Sequence, residues 1–152
     1  MQTRRKTLKQ SAVVAGLLAA TGLFPQYALA AFNKTAFEAK TLADVLKAMG
    51  AGAPAESKDV TIGGPDIAEN GAVVPLTAST ALPGVKQILI LVEKNPSALI
   101  AVFNVTDSVE ANFATRAKMG QSSDVYAVAI MADGKVLFAK KEVKVTLGGC
   151  GG

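Results

Sequence analysis

The sequence contains no histidine and no tryptophan, and it has a single cysteine, Cys150. Histidine is the commonest acid–base catalyst near neutral pH and, together with cysteine, the main ligand of structural zinc. The composition therefore argues against histidine-dependent catalysis and against a zinc site, and we expect neither a metal nor a cofactor. One thiol cannot form an intramolecular disulfide. Aromatic residues make up only 5% of the chain, so the core must be built mainly from aliphatic side chains.

The net charge of +4 is concentrated at the N-terminus. Arg4, Arg5, Lys6 and Lys9 supply four positive charges, and no acidic residue precedes Glu38. Without these four, 12 basic residues face 12 acidic ones. A nucleic-acid-binding protein keeps a basic surface on its folded domain. The pattern therefore predicts no nucleic-acid partner.

Residues 1–30 have the pattern of an export signal. The basic stretch is followed by an apolar run over 12–24 and by Ala28-Leu29-Ala30, a cleavage pattern ahead of Ala31. Thirteen residues span about 20 Å as a helix, short of the roughly 30 Å bilayer core, so an uncleaved membrane anchor is the less favoured alternative. Residues 3–9, Thr-Arg-Arg-Lys-Thr-Leu-Lys, resemble a twin-arginine motif. We therefore predict a periplasmic mature protein that is exported by the twin-arginine route and does not contact a membrane after signal removal.

Residues 31–57 are predicted to form one helix over 35–49 and a linker over 50–57. The helix-start signals are Thr35 with Glu38 and Thr41 with Asp44. Apolar residues at positions 42, 45, 46 and 49 follow helical spacing, and Gly50 supplies a stop.

Residues 58–147 read as short strands separated by glycine, proline and asparagine turns. The predicted strands are 60–62, 72–76, 85–92, 99–105, 113–119, 125–131, 136–139 and 142–147. The run 88–92 is uniformly apolar and predicts a central strand buried on both faces. Asp133-Gly134 predicts a hairpin with a type I′ turn. The pattern indicates a mainly β protein, an immunoglobulin-like antiparallel β-sandwich with one N-terminal helix.

The chain ends in a glycine-rich tail, residues 148–152, which consists of Gly148, Gly149, Cys150, Gly151 and Gly152. Glycine leaves the backbone free and offers no side chain to bury a cysteine. A lone cysteine is usually a small buried hydrophobe, but this one lies past the last apolar strand residue. A tail without a role is a second alternative. We favour a flexible carrier arm that brings a nucleophilic thiol into the active site of another protein.

The terminal Gly-Gly-Cys-Gly-Gly resembles the terminal motif of the SoxY family, the sulfur carrier subunit of the periplasmic Sox thiosulfate-oxidising system. Residues 67–75, Ile-Ala-Glu-Asn-Gly-Ala-Val-Val-Pro, are similar to an internal segment of that family. By themselves they indicate no more than a turn that opens a strand. The resemblance implies that Cys150 holds thiosulfate-derived intermediates covalently and that the protein is a carrier, not an enzyme.

The resemblance also implies partners. These are a SoxZ-like subunit, in a heterodimer or higher complex, and three enzymes in transient contact: a haem conjugating enzyme, a sulfate-releasing hydrolase and a sulfane dehydrogenase.

Three other functions remain open at this point. Gly151-Gly152 would suit a ubiquitin-like sulfur carrier, but that chemistry is cytoplasmic, whereas Arg4-Arg5 and the leader indicate export. A thiol redox enzyme would place its cysteine in an electropositive pocket, often with a resolving partner, and the sequence has neither feature. A secreted interaction module with an incidental tail is the third alternative.

Overall fold

The computed structural model describes residues 33–147, which belong to one compact unit. The predicted leader, 1–30, and the predicted carrier tail, 148–152, lie outside the described residues. Within the described part of the chain, no helix is long and apolar enough to cross a bilayer.

The N-terminal helical region is divided into two short helices, α1 (Lys34–Glu38) and α2 (Leu42–Ala48), where the sequence predicted a single helix. Ala39 ends α1 in an extended conformation, and Thr41 begins α2 by accepting a hydrogen bond from the Asp44 N–H at 3.1 Å. The second start signal is therefore a genuine helix cap. The first was wrong, because the side chain of Asn33 caps α1 instead.

The strands of the described residues form two sheets. They are β1 (Pro54–Glu56), β2 (Val60–Gly63), β3 (Ile67–Ala68), β4 (Val74–Thr80), β5 (Val85–Val92), β6 (Leu99–Asn104), β7 (Asn112–Ala117), β8 (Ser123–Met131) and β9 (Val136–Val145). The larger sheet has the order β1-β9-β8-β5-β6, with β3 also paired to β9, and the smaller has the order β2-β4-β7. The prediction of a mainly β, immunoglobulin-like sandwich is confirmed.

Two apolar layers hold these elements together. The first lies between the sheets and includes Leu76, Ile88, Ile90 and Val143. The second lies between the outer face of the larger sheet and the helices, and it includes Leu89. Neighbouring residues of β5 thus point into different layers, which confirms the prediction that this strand is buried on both faces.

The hairpin between β8 and β9 is confirmed, but its predicted type I′ turn is wrong. Gly134 has a φ of 88°, whereas no non-glycine residue in the described range has a positive φ. The Gly134 N–H donates to the Met131 carbonyl at 3.1 Å, and the Met131 N–H donates to the Lys135 carbonyl at 2.9 Å. This geometry is a type I turn followed by a glycine bulge, which also reverses a hairpin.

Two short strands and one continuous strand differ from the sequence prediction. β1 lies within the predicted linker, and β3 lies where a turn was expected; both pair with β9 in parallel. The predicted strands 136–139 and 142–147 are one strand. The lysines between them remain in register with β8, because Lys140 and Lys141 reach Asp124 and Asp66 at the surface.

Candidate functional site: the root of the carrier tail

The last described residue, Leu147, lies three positions before Cys150. Cys150 and the four tail glycines are outside the described residues, so their predicted roles remain predictions. The structure does describe how the chain is held immediately before the tail, and this root determines where the cysteine can reach.

The root is fixed to the segment that follows β3. The Thr146 N–H donates to the Ala68 carbonyl at 3.1 Å, and the Thr146 hydroxyl donates to the Glu69 carbonyl at 3.1 Å. The Gly71 N–H donates to the Leu147 carbonyl at 2.8 Å. We call these five residues the root clasp; it extends β9 by two bonded residues beyond its end at Val145.

A third segment supports the clasp from the other side. The Val145 N–H donates to the Ser122 hydroxyl oxygen at 2.9 Å, and the Met119 N–H donates to the Gly71 carbonyl at 2.7 Å. Gly71 thus binds the chain end through its N–H and the loop after β7 through its C=O. Both backbone groups of this buried glycine are satisfied, as burial requires.

Asn70 shapes the turn that presents Gly71. Its side-chain oxygen accepts a hydrogen bond from the Ala72 N–H at 2.8 Å, a local bond that favours a turn at this position. The Glu-Asn-Gly segment therefore closes on the chain terminus. Sequence reasoning assigned it only a turn, because the contact joins Glu69 to Thr146 across 77 positions.

Lys141 fixes the strand that leads to the root. Its ammonium group donates to the Gly64 carbonyl at 2.6 Å and lies 2.8 Å from a carboxylate oxygen of Asp66. The hydrogen bond from Lys141, and then its charge, lower the pKa of Asp66. Because the Asp66 side chain is 89% exposed, the ion pair itself contributes little. The bond to Gly64 positions the segment that continues into β3.

The described surroundings of the root offer few catalytic groups. Residues 33–147 contain no group of three or more acidic, histidine or cysteine side chains that could hold a metal ion. Burial, followed by the charge of Glu93, raises the pKa of Tyr126 to about 12, so this phenol stays protonated near neutral pH. The clasp is built mainly from backbone groups and is suited to holding the chain, not to moving protons.

Comparison with known proteins identifies the family. The model of the family "Sulfur oxidation protein SoxY" matches residues 45–150. The chain belongs to the SoxY family. The sulfur carrier protein SoxY from Chlorobium limicola f thiosulfatophilum is 34% identical, with a TM-score of 0.61, over 68% of this chain and 93% of that one. Membership of this family supports a carrier role in sulfur oxidation.

A second solved structure shares the fold alone. The superoxide reductase (neelaredoxin) from Ignicoccus hospitalis has a TM-score of 0.51 and 18% identity over 57% of this chain and 79% of that one. Identity at this level extends to the sandwich and not to its chemistry. No curated protein matches the chain.

Proposed function

We propose that this SoxY-family protein carries thiosulfate-derived sulfur intermediates covalently on Cys150 and presents them to enzymes of sulfur oxidation. The observation that carries the proposal is the family match, which ends at residue 150 and so includes the only cysteine of the chain. The root clasp supports it, because a carrier cysteine needs a fixed base from which to reach.

The distance from that base limits the reach of the sulfur. Three residues extend at most about 10 Å, at roughly 3.3–3.6 Å per residue. We propose that Gly148 and Gly149 make this stretch thin and adaptable, so that Cys150 can enter a narrow channel in a second protein. Gly151 and Gly152 serve the same purpose on the far side of the cysteine.

The proposed loading step joins the Cys150 thiol to the outer sulfur of thiosulfate. One sulfur–sulfur bond forms, one proton leaves, and two electrons pass to the haem conjugating enzyme. In the proposed release step, water attacks the terminal sulfonate sulfur in the hydrolase. Sulfate and one proton depart, and a persulfide remains on Cys150 for oxidation by the sulfane dehydrogenase.

We propose that this protein supplies the thiol and that its partners supply the catalysis. A thiol becomes a strong nucleophile only as its thiolate, which an adjacent cation or base favours. The tail contains neither. Activation is therefore left to each enzyme, and the protein acts as a substrate-bearing carrier with no cofactor of its own.

The proposed setting is the periplasm, reached by the twin-arginine route, in a complex with a SoxZ-like subunit. If the export receptor reads the paired arginines, a double change of Arg4 and Arg5 to Lys leaves the precursor in the cytoplasm. Normal periplasmic yield of this variant, measured by fractionation and immunoblotting, would refute the route.

Mass spectrometry of the protein purified from the periplasm of thiosulfate-grown cells tests the proposed function. We expect sulfur-containing adducts on Cys150 and on no other residue. A thiol that stays unmodified under all growth conditions would favour the plain interaction module. A thiocarboxylate at Gly152 would favour the ubiquitin-like carrier.

A further inference from the structure

Exposed apolar side chains are gathered around the root clasp. In the described residues, four large hydrophobic side chains are exposed: Ile67 (58%), Val73 (58%), Val109 (46%) and Leu147 (69%). Ile67 precedes the clasp residue Ala68, Val73 lies two positions after Gly71, and Leu147 belongs to the clasp. We call Ile67, Val73 and Leu147 the root patch.

Folding does not require the root patch to be apolar. Ala68 and Val74, the chain neighbours of Ile67 and Val73, are the residues that enter the core, at 6% and 0% exposure. A single exposed hydrophobic residue is normal, whereas a cluster marks a contact surface. Polar positions border the patch, since Glu69 and Lys144 are exposed beside it. An apolar centre with a polar rim is the usual composition of an interface.

The length of the tail limits what can cover this surface. The Cys150 backbone cannot lie farther than about 10 Å from Leu147, at roughly 3.3–3.6 Å per residue. An enzyme with a recessed active site can therefore receive the sulfur only if the mouth of its channel approaches the clasp. Any such enzyme must contact the residues around the point where the tail begins, and these are the root patch.

We propose that the root patch docks onto the channel mouth of the enzymes that process sulfur on Cys150. This inference rests on the proposed function. Apolar contact is not directional, so one patch fits several channel mouths that share an apolar rim but differ in detail. Three side chains give a weak contact, which suits a carrier that must leave each enzyme after its turnover.

Val109 provides a matched control at the other end of the sandwich. β4 starts beside the clasp at Val74 and ends at Thr80, near the loop that contains Val109. Seven residues of strand span about 20 Å at roughly 3.3 Å per residue. A change at Val109 thus alters an exposed hydrophobic side chain that the channel mouth does not reach.

The test compares a triple variant, Ile67→Ser, Val73→Ser and Leu147→Ser, with Val109→Ser, each in complex with the SoxZ-like subunit. The Leu147 change keeps the backbone carbonyl that accepts from Gly71. Tetrathionate loads Cys150 without any enzyme: the thiolate displaces one thiosulfate and keeps the other sulfur–sulfonate group. Sulfate release by the purified hydrolase is then measured over a range of carrier concentrations.

We expect kcat/KM to fall at least tenfold in the triple variant, mainly through a higher KM, and to stay within twofold of wild type in Val109→Ser. Alkylation of Cys150 by iodoacetamide and the urea midpoint should be unchanged in both. If unfolding complicates the triple variant, Leu147→Ser alone should raise KM severalfold.

Wild-type kcat/KM in the folded triple variant would overturn the docking surface. Loss of the SoxZ-like subunit from the triple variant, seen by size-exclusion chromatography, would overturn it too, because the patch would then be the subunit interface. If the hydrolase releases no sulfate from loaded wild-type carrier, the proposed function fails and the docking surface fails with it.

Discussion

Replacing Ser122 with alanine tests whether the root clasp holds the chain before the carrier tail. Ser122 accepts the Val145 N–H at 2.9 Å, and the change removes that acceptor without adding bulk. A net hydrogen bond is worth about 1 kcal/mol, and an unpaired buried donor costs about 1–3 kcal/mol. Ser122 is half-buried, so water can partly replace it. We expect a local cost of about 1–1.5 kcal/mol, near the low end of that range.

Amide hydrogen exchange measures this cost where it occurs. About 1.4 kcal/mol corresponds to a tenfold change in an equilibrium constant. The amides of Val145, Thr146 and Gly71 should therefore exchange roughly tenfold faster in Ser122→Ala, since clasp opening becomes that much more frequent. The amide of Val128, in the centre of the larger sheet, should report only the change in global stability.

Ser57→Ala is the matched control. Ser57 is also half-buried and also accepts a backbone N–H, that of Asp59 at 3.1 Å, but it lies outside the clasp. Its replacement should leave exchange of the clasp amides unchanged. Equal exchange at Val145 and Thr146 in wild type and Ser122→Ala would refute the reasoning, because the chain end would then be held without this bond.

Three further predictions concern the core, the strand before the root and the tail. Leu76→Ala should reduce the free energy of unfolding by about 2–5 kcal/mol in urea titrations, because Leu76 is fully buried between the sheets; a loss under 1 kcal/mol would contradict that packing. Lys141→Met should lower Tm at neutral pH. The pKa of Asp66 is lowered in the folded state, so the ion-pair part of this difference is present above its ordinary value of 3.8 and is lost as the pH falls through the lowered pKa; a difference that widens in acid would contradict it. Gly148→Val with Gly149→Val should leave iodoacetamide labelling of the thiol unchanged but slow turnover by the hydrolase, because two β-branched residues widen and stiffen the tail; equal turnover would refute the need for glycine.

Local patterns predicted the parts of the fold that local interactions determine. The apolar run 88–92 identified the central strand, and Asp133-Gly134 identified the hairpin. The split of the helical region was also written in the sequence, because Thr41 with Asp44 is a capping signal inside the predicted helix. The continuous apolar spacing outweighed that signal in the prediction.

Non-local pairing accounts for what the sequence did not predict. β1 contains Pro54, which usually indicates a linker, yet proline is tolerated in an edge strand. β3 has only two residues and exists because Ile67 and Ala68 meet the far end of β9. No periodicity in the neighbouring sequence reports such a pairing.

The candidate site divides in the same way. Cys150 was predicted from sequence, since residue type and glycine context are visible there. The clasp was not, because its bonds use mainly backbone groups, which nearly every residue has. The patch around it was equally hidden, because alternating strands contain apolar residues on both faces until the fold decides which face is covered.

The most direct test of the account is the intact mass of the mature protein after incubation with thiosulfate and the haem conjugating enzyme. We predict a gain of one thiosulfate group per chain, located at Cys150 by fragmentation and absent from Cys150→Ser. This variant should fold as the wild type does, with a free energy of unfolding within about 0.5 kcal/mol. A wild-type mass that stays unchanged with active enzyme, or an adduct that persists in Cys150→Ser, would contradict the proposal that this cysteine carries the sulfur.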